Sequence, residues 1–334
     1  MMVCRRRWRN LAMMLAVGLM AGSATAAALA AGAVPVAPKT PADFEAADAK
    51  DLPTLRDLII KAMPTEAVQR DRYGAQVAKD FTAAGAGINS TRPEVRLNSA
   101  ILIHDLNTLS TDQPLLSLIK SDDAAVRYWG AKGLTDISAR LMSGGVGPTT
   151  NLIVTGLGTR AKVETSGLVQ QEIVKALIQY KAFAPLLDAL DAISNQMEAG
   201  VPDTALLETA ALGLDSVSRS MLSAAAADKV KGATDAARLA SFAAQQQKKN
   251  EEAVKAIDPA ANVAADYAAA AQKVVEAATK VAGGATGTTY PTPTGTSPDE
   301  LLLNVNNLFG TPGGRAGKLQ TDVTSVPVPP KVKE

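Results

Sequence analysis

His104 is the residue whose type most readily suggests chemistry, because it is the chain's one histidine and imidazole is the commonest general acid or base in enzymes. Any Ser-His-Asp or Cys-His mechanism would have to use it. Asp105 follows it directly and Asp136 lies further along the chain. Pairing with either carboxylate would make His104 a pH-responsive or catalytic group. The sequence indicates no nucleophile, however, so a helix-face histidine that bonds a neighbouring group is the favoured interpretation.

Three carboxylates suggest a second kind of chemistry. Glycoside hydrolysis needs two Asp or Glu side chains and no other catalytic group, and Asp122, Asp123 and Asp136 form the nearest such cluster. Sugar-binding sites are usually aromatic, however, and aromatic residues make up only 4% of this chain. Asp122 and Asp123 also fit the turn and N-cap of a helix. We therefore predict no catalytic residues and no enzyme, with an exported all-helical hydrolase or lyase acting on a polysaccharide as the alternative.

Two glycine-rich segments have the spacing of phosphate-binding loops but not their context. Gly156, Gly158 and Ala161 follow an apolar stretch, as in a dinucleotide-binding turn, and Glu172 lies near the usual acidic position. No second strand pattern follows, and the surrounding pattern is helical. Residues 313–318 (GGRAGK) lack the first glycine and the final Ser or Thr of a P-loop. We predict no cofactor.

Residue counts exclude several other kinds of site. The single Cys4 cannot form an intrachain disulfide, and one Cys with one His cannot supply a structural zinc site. The 34 Lys and Arg balance 33 Asp and Glu, and this net charge of +1 is not the basic excess of a nucleic-acid-binding protein. Residues 89–91 (NST) fit a glycosylation site if the source is eukaryotic. We predict no metal and no nucleic-acid partner.

Three consecutive residues are the best candidates for binding a partner protein. Arg127, Tyr128 and Trp129 are the residue types that dominate interface energies when they are exposed. Arg127 and Trp129 fit equally well as core residues or as ties between repeats. Both interpretations remain open from the sequence, and burial of Trp129 would weaken the first.

The N-terminal segment has the pattern of a secretory signal peptide. Residues 5–9 (RRRWR) form a basic region, residues 11–21 are apolar, and small-residue cleavage sites follow within residues 24–30 (ATAAALA). We predict a signal peptide over residues 1–30 and an exported, periplasmic or extracellular protein. An uncleaved anchor is the alternative, and it would be the protein's only contact with a membrane. The adjacent arginines also fit a twin-arginine signal.

The body of the chain contains an internal repeat. Residues 94–106 (EVRLNSAILIHDL) align with residues 125–137 (AVRYWGAKGLTDI), and a weaker third copy keeps the apolar spacing at Val169, Ala176 and Leu177. Before the second copy, residues 113–119 (QPLLSLI) form a short amphipathic run. Together these patterns predict stacked helix pairs.

The second copy resembles a HEAT repeat. Residues 113–119 (QPLLSLI) match its first helix, with its apolar P-L-L-x-L-L face, and residues 122–134 (DDAAVRYWGAKGL) match its Asp-containing turn and its second helix of the form V-R-x-x-A-x-x-A-L. The resemblance covers roughly residues 90–200. Gly130 and Gly133 stand where that family usually has Ala. The resemblance implies an interaction surface built by stacking, and it implies no catalytic residues.

The C-terminal half is predicted to differ. Residues 201–282 read as a hairpin or cap of long Ala-rich helices, because Ala has the highest helix propensity. Residues 283–298 (GGATGTTYPTPTGTSP) read as a Thr/Pro/Gly linker that does not pack. Residues 299–310 form a short amphipathic helix, either a latch on the body or a recognition helix on a tether. Residues 311–334 are predicted to be disordered.

The sequence therefore predicts an all-α protein, a HEAT-like α-solenoid followed by long Ala-rich helices, with disordered termini. A Pro-rich linker over residues 31–41 precedes the repeat domain at residues 42–200. The predicted function is an exported, non-catalytic protein-protein interaction or scaffold module of the cell envelope, with an unidentified protein partner. A self-associating structural component of the envelope is a further alternative.

Overall fold

The computed structural model gives the structure of residues 36–83, 85–200, 203–257 and 264–333. These residues form α-helices, two short 3₁₀ turns and no β-strand, which confirms the predicted all-α class. The predicted signal peptide lies outside the described residues. So does the Asp258-Pro259 pair, whose sequence is typical of a helix start. None of the helices in the described ranges combines the length and the apolar character needed to span a membrane.

We number the α-helices of the described residues in chain order. Their bounds are α1 Pro41–Ala46, α2 Leu52–Lys61, α3 Ala67–Phe81, α4 Pro93–Leu106, α5 Asp112–Leu118, α6 Ala124–Ser143, α7 Pro148–Ala161, α8 Gly167–Gln179, α9 Phe183–Ala199, α10 Thr204–Met221, α11 Ala226–Ile257, α12 Ala264–Thr286, α13 Pro298–Phe309 and α14 Lys318–Asp322.

Most helices alternate between two rows. In one row α2, α4, α6, α8, α10 and α12 each contact the next, and in the other α5, α7, α9 and α11 do the same. Each helix also contacts its neighbour in the chain across the rows from α3 to α12. The aligned repeat residues 94–106 and 125–137 lie in α4 and α6, so equivalent residues occupy adjacent helices of one row. A continuous apolar core runs between the rows.

Local signals explain where several helices begin. The Asp123 carboxylate accepts a hydrogen bond from the Ala125 amide at the start of α6, and Asp203 does the same for the Leu206 amide at the start of α10. The hydroxyl of Ser297 caps α13 through the Glu300 amide, as its Ser-Pro-Asp-Glu sequence indicates. Thr91 and Glu94 have the spacing of a capping box, which predicts a helix start at Thr91. The box does not form, because α4 begins at Pro93 and the Glu94 carboxylate bonds Arg92 instead.

The described part of residues 201–282, predicted as a hairpin or cap of long Ala-rich helices, forms three helices, α10, α11 and α12, and α12 continues to Thr286. Ala is the commonest buried residue of α11 and α12. Its small size lets neighbouring backbones approach closely.

The predicted C-terminal disorder is wrong for the described residues 311–333. Leu319, Val326 and Val332 are buried in the core cluster. The Lys333 amide donates to the Glu198 carbonyl of α9 at 3.0 Å. Disorder was predicted from the low sequence complexity of this segment. A few apolar side chains spaced along the segment are nevertheless enough to dock it on the surface of the helices.

The predicted linker also packs. Residues 287–297 run in extended form back along α12, where the Gln272 amide of that helix donates to the Pro293 carbonyl at 3.1 Å. Tyr290 is buried, and its hydroxyl donates to the Asp322 carboxylate at 2.6 Å. We call residues 287–333 the C-terminal strap. It includes α13, which packs on α11 in the way expected of a latch.

Candidate functional site

The predicted partner-binding residues separate into two environments on α6. Tyr128 and Trp129 are partly exposed at the surface of the row, packed over the core, whereas Arg127 is buried. The two rings meet edge to face with centroids 5.4 Å apart, a favourable aromatic geometry. Trp129 is therefore neither fully buried nor fully exposed.

Lys132 and His104 complete a cluster around the two rings. The Lys132 ammonium lies 5.3 Å from the Trp129 ring centroid and 5.9 Å from that of Tyr128, within the range of a cation–π contact. The His104 ring from α4 meets Trp129 edge to face at 4.9 Å. We call Tyr128, Trp129, Lys132 and His104 the α4–α6 surface. Lys132 follows the two aromatics by one helical turn, so helical spacing was the signal that could have found it.

His104 contacts both of the carboxylates proposed for it. Its Nδ1 lies 2.8 Å from Asp105 Oδ1 and its Nε2 lies 2.9 Å from Asp136 Oδ2, so the ring bridges α4 and α6. Both ring nitrogens are thus engaged by carboxylate oxygens, and both can donate only when the ring carries two protons. This arrangement ties two helices together and leaves no free ring nitrogen for a general base.

A charged side chain from α2 extends the cluster. The Arg56 Nε lies 3.5 Å from Asp105 Oδ2, and one of its terminal nitrogens donates to the Asn98 side chain at 3.4 Å. Asp105 therefore lies between Arg56 and His104. Sequence reasoning missed Arg56, because its contact joins helices that are distant in the chain and no local spacing signals it.

Arg127 makes its contacts inside the protein. The residue is 6% exposed, and its Nε and Nη2 donate to the two oxygens of Glu164 at 2.7 and 2.9 Å. Its remaining terminal nitrogen donates to the carbonyls of Ser121 and Asp122. Four of its five N–H donors are thus used within the fold. These contacts favour the interpretation of Arg127 as a tie between repeats over that of an exposed partner-binding residue.

Glu164 is the acidic side of this tie. Its side chain is fully buried, and burial alone would raise its pKa. Hydrogen bonds from Arg127, from Arg160 and from the Ser166 amide outweigh burial and lower the pKa of Glu164 to about 2. The carboxylate is thus ionised at every pH at which the protein is ordinarily handled.

The carboxylates considered for glycoside hydrolysis have other contacts. Asp123 caps α6 and lies 3.8 Å from Arg96, Asp122 contributes its carbonyl to Arg127, and Asp136 contacts His104. The Asp123 and Asp136 carboxylates are therefore engaged by structural partners, whereas Asp122 is exposed and contributes its backbone carbonyl. Among the residues that the structure describes, no group of three or more His, Cys, Asp or Glu is placed to hold a metal ion.

The other sequence motifs also have structural roles. Gly156 and Gly158 lie inside α7, where an added Cβ would come within 2.5 Å of Leu116 and 3.1 Å of Pro185, so these glycines permit helix contact and no strand precedes them. Residues 313–318 belong to the strap. The Asn89 side-chain amide donates to the carbonyls of Thr82 and Ala83, while the residue remains exposed.

One buried ionisable group went unnoticed in the sequence. Asp235 in α11 is 2% exposed, and its Oδ2 has no hydrogen-bond partner. Burial and the nearby Asp191 carboxylate raise the pKa of Asp235 to about 8, although Lys231 and Arg238 act in the opposite direction. The sequence offered one signal for it: an Asp within the Ala-rich face of α11, the face that packs on α9.

Comparisons of the chain with family models, with curated proteins and with solved structures found no match.

Proposed function

We propose that this protein is an exported, non-catalytic protein-protein interaction module that binds its partner through the α4–α6 surface. The observation that supports this most is the arrangement of Tyr128, Trp129 and Lys132. Two aromatic rings and an ammonium group are held in fixed geometry on a rigid helix while part of each ring remains exposed. Aromatic anchors supported from below supply binding energy with little loss of side-chain entropy.

The contacts of His104 favour binding over catalysis. Its ring nitrogens are both engaged by carboxylates, and no serine, threonine or cysteine side chain hydrogen-bonds it among the described residues. A nucleophilic mechanism needs such a contact together with a free basic nitrogen. The cluster instead resembles a supporting layer that fixes Trp129 in position through its edge-to-face contact.

The setting of the surface supports a stacked-repeat scaffold. Helices alternate between two rows, and equivalent residues of the 31-residue repeat occupy neighbouring helices α4 and α6. HEAT-like repeats bind their partners on a surface formed by such a row of helices. The basic and apolar pattern of residues 1–30 supports export, and a periplasmic or extracellular site of action.

The proposal is tested by partner capture with matched variants of the tagged native protein. The wild type, Trp129→Ser, Lys132→Glu and Lys249→Glu are each recovered from a mildly cross-linked envelope fraction, and co-purifying proteins are measured by quantitative mass spectrometry. Lys249 is an exposed lysine of α11, outside the α4–α6 surface, so its variant controls for charge reversal. Thermal unfolding establishes that every variant remains folded.

The expected result is one or a few stoichiometric partners that wild type and Lys249→Glu retain and that both α4–α6 surface variants lose by at least tenfold. Partners retained equally by all four proteins would overturn the assignment of this surface. Recovery of the protein alone would overturn the specific interaction module in favour of a self-associating envelope component.

A further inference from the structure

A cleft of about 330 Å³ lies where α8 ends, α9 begins and α10 completes its last turns. Its floor is apolar: Leu177 and Leu186 belong to the core cluster, and Phe183 packs against it. The volume falls at the small end of the range for ligand sites. None of the residues that form the α4–α6 surface lines this cleft, so it is a separate site.

The rim of the cleft is polar and carries positive charge. Lys181, Arg219, Ser216 and Ser220 line it, and none of its lining residues is acidic. Arg219 bonds Asp215 at 2.9 Å, but that carboxylate also accepts from Lys280 at 2.8 Å, so two cations share one negative charge. The Lys181 ammonium makes no salt bridge within the described residues. The cleft therefore combines an apolar floor with a cationic rim.

The backbone at Lys181 gives this rim a second, independent feature. Lys181 has a φ of +53°, in the left-handed region that favours Gly or Asn. It follows α8 in a Schellman-type ending, in which the Ala182 amide donates to the Leu177 carbonyl at 2.9 Å. Gly would satisfy this ending without strain, so the structure keeps a strained cationic residue at the mouth of the cleft.

The beginning of α9 adds to the positive potential. Ala182 supplies no side-chain cap, and the first turn of α9 contains no acidic residue. In this first turn the Phe183 amide donates to the Lys181 carbonyl and Pro185 has no N–H, so the Ala184 amide is the one that can favour a nearby anion. This contribution has the same sign as those of Lys181 and Arg219.

We propose that this cleft binds an amphipathic anion, an acyl or alkyl chain that carries a carboxylate or phosphate head. The chain lies on Leu177, Phe183 and Leu186, and the head lies at Lys181 and Arg219. The rim matches the head in charge and the floor matches the chain in polarity. A free fatty acid and a phosphorylated lipid share this chemistry.

The test uses the purified full-length chain and three probes of equal chain length: octanoate, octyl phosphate and octanol. Binding is followed by two-dimensional amide NMR. The expected result is that the amides of residues 178–186 and 216–220 shift with either anion, with Kd at or below about 1 mM. Octanol binds at least fivefold more weakly. A stronger response to octanoate than to octyl phosphate identifies a fatty acid as the source, and the reverse identifies a phosphorylated lipid.

Lys181→Gly provides the decisive variant, because it removes the charge and also removes the backbone strain. We expect it to raise the midpoint of thermal unfolding while weakening anion binding at least threefold, so loss of binding cannot be ascribed to loss of folding. Lys181→Arg keeps both charge and affinity, and Lys249→Gln on α11 is the remote control.

Three outcomes would overturn the proposal. They are the absence of localised shifts with either anion, equal affinity for octanol and the anions, and unchanged affinity in Lys181→Gly.

Discussion

Asp235 shows how competition among charged side chains sets the state of a buried carboxyl group. Lys231 and Arg238 flank it on α11, but the Lys231 ammonium bonds Asp188 and the Arg238 guanidinium bonds Asp191 at 2.8 Å, both on α9. The two cations are thus engaged elsewhere, and one oxygen of Asp235 remains without a partner. Retaining the proton is the less costly state for a carboxyl group in that position.

This gives a prediction for Asp235→Asn. The pKa of Asp235 is about 8 in the folded protein against an ordinary value of 3.8 for an Asp side chain, so the folded state alone holds the proton between these values. Stability from this group is therefore fully present below about pH 4 and is lost as the pH rises to about 8. Asn resembles the protonated acid in shape and never ionises. We expect Asp235→Asn to raise the free energy of unfolding at pH 8 by about 2 kcal/mol or more.

Urea unfolding of both proteins at pH 5 and pH 8 measures this effect. The wild type should lose more stability between the two pH values than Asp235→Asn does, since the remaining titrating groups are the same in both. Parallel pH dependence in the two proteins would contradict the assignment of a retained proton to Asp235.

For Glu164 the pH dependence is expected to be the opposite, because its pKa is lowered to about 2 from the ordinary 4.5 of a Glu side chain. Its stabilising effect is present above about pH 4.5 and is lost as the pH falls toward 2. Glu164→Gln removes the charge that pairs with the buried Arg127. We expect it to lower the free energy of unfolding at pH 7 by about 3 kcal/mol.

Glu208→Gln is the matched control for Glu164→Gln in urea unfolding at pH 7. Glu208 Oε1 lies 4.0 Å from Lys273 Nζ in an exposed ion pair. For such a pair we expect the free energy of unfolding to change by no more than about 0.5 kcal/mol. If both variants lose the same small amount of stability, the Arg127–Glu164 pair does not hold the repeats together.

At the scale of elements, the contact between α5 and α6 depends on the absence of a side chain. A Cβ added at Gly130 would lie 2.7 Å from the Leu118 Cβ and 2.9 Å from the Ile119 backbone nitrogen. Backbone atoms cannot move aside as a flexible side-chain end can. Position 130 therefore favours glycine, because the two helices lie too close there for a methyl group.

Gly130→Ala is therefore expected to destabilise the protein by about 2 kcal/mol, although Ala is the better helix former. Gly144→Ala, at the end of the same helix, is the control, since its added Cβ would lie an ordinary 3.7 Å from the Leu141 carbonyl oxygen. Thermal or urea unfolding compares them. A Gly130→Ala variant as stable as Gly144→Ala would show that α5 can withdraw from α6 without cost.

The elements also show what local sequence signals can and cannot predict. Periodic apolar residues and caps such as Asp123 and Ser297 indicated helices at α6 and α13, because these signals act within a few residues. The pairing of Arg127 with Glu164 joins α6 to the loop after α7. Such a contact depends on how helices stack, so the same Arg127 fitted an exposed anchor and an internal tie equally well from the sequence.

At the scale of the whole molecule, the C-terminal strap closes the stack. Its extended part runs along α12, its helix α13 lies on α11, and its end reaches α9 through the Lys333 amide. Composition predicted disorder here because Pro, Thr and Gly residues carry little apolar surface. The strap docks on a surface formed by α9, α11 and α12, to which Pro293, Val332 and Lys333 hydrogen-bond. That surface cannot be deduced from the sequence of the strap alone.

Removing residues 324–334 tests the strap as a structural element of the whole fold. The truncation deletes the buried side chains of Val326 and Val332, the Lys333 hydrogen bond to α9 and the Val332 amide bond to Gln245 of α11. Burial of two valines corresponds to about 3 kcal/mol at most, so the chain should still fold. We expect faster hydrogen exchange in the C-terminal turns of α9 and around Gln245, with α4 and α6 unchanged.

Two point variants show whether the effect comes from docking or only from chain length. Val332→Asp places a charge in the buried position and should reproduce the faster exchange in α9 and α11, whereas Lys331→Ala changes an exposed neighbour and should not. The strap contacts α9, α11 and α12 in the C-terminal part of the stack. Its removal should therefore accelerate hydrogen exchange most in those helices and progressively less toward the N-terminal helices. If exchange accelerates equally in α4 and α6, the rows unfold as one cooperative unit. If exchange is unchanged everywhere, the strap does not stabilise the helices beneath it.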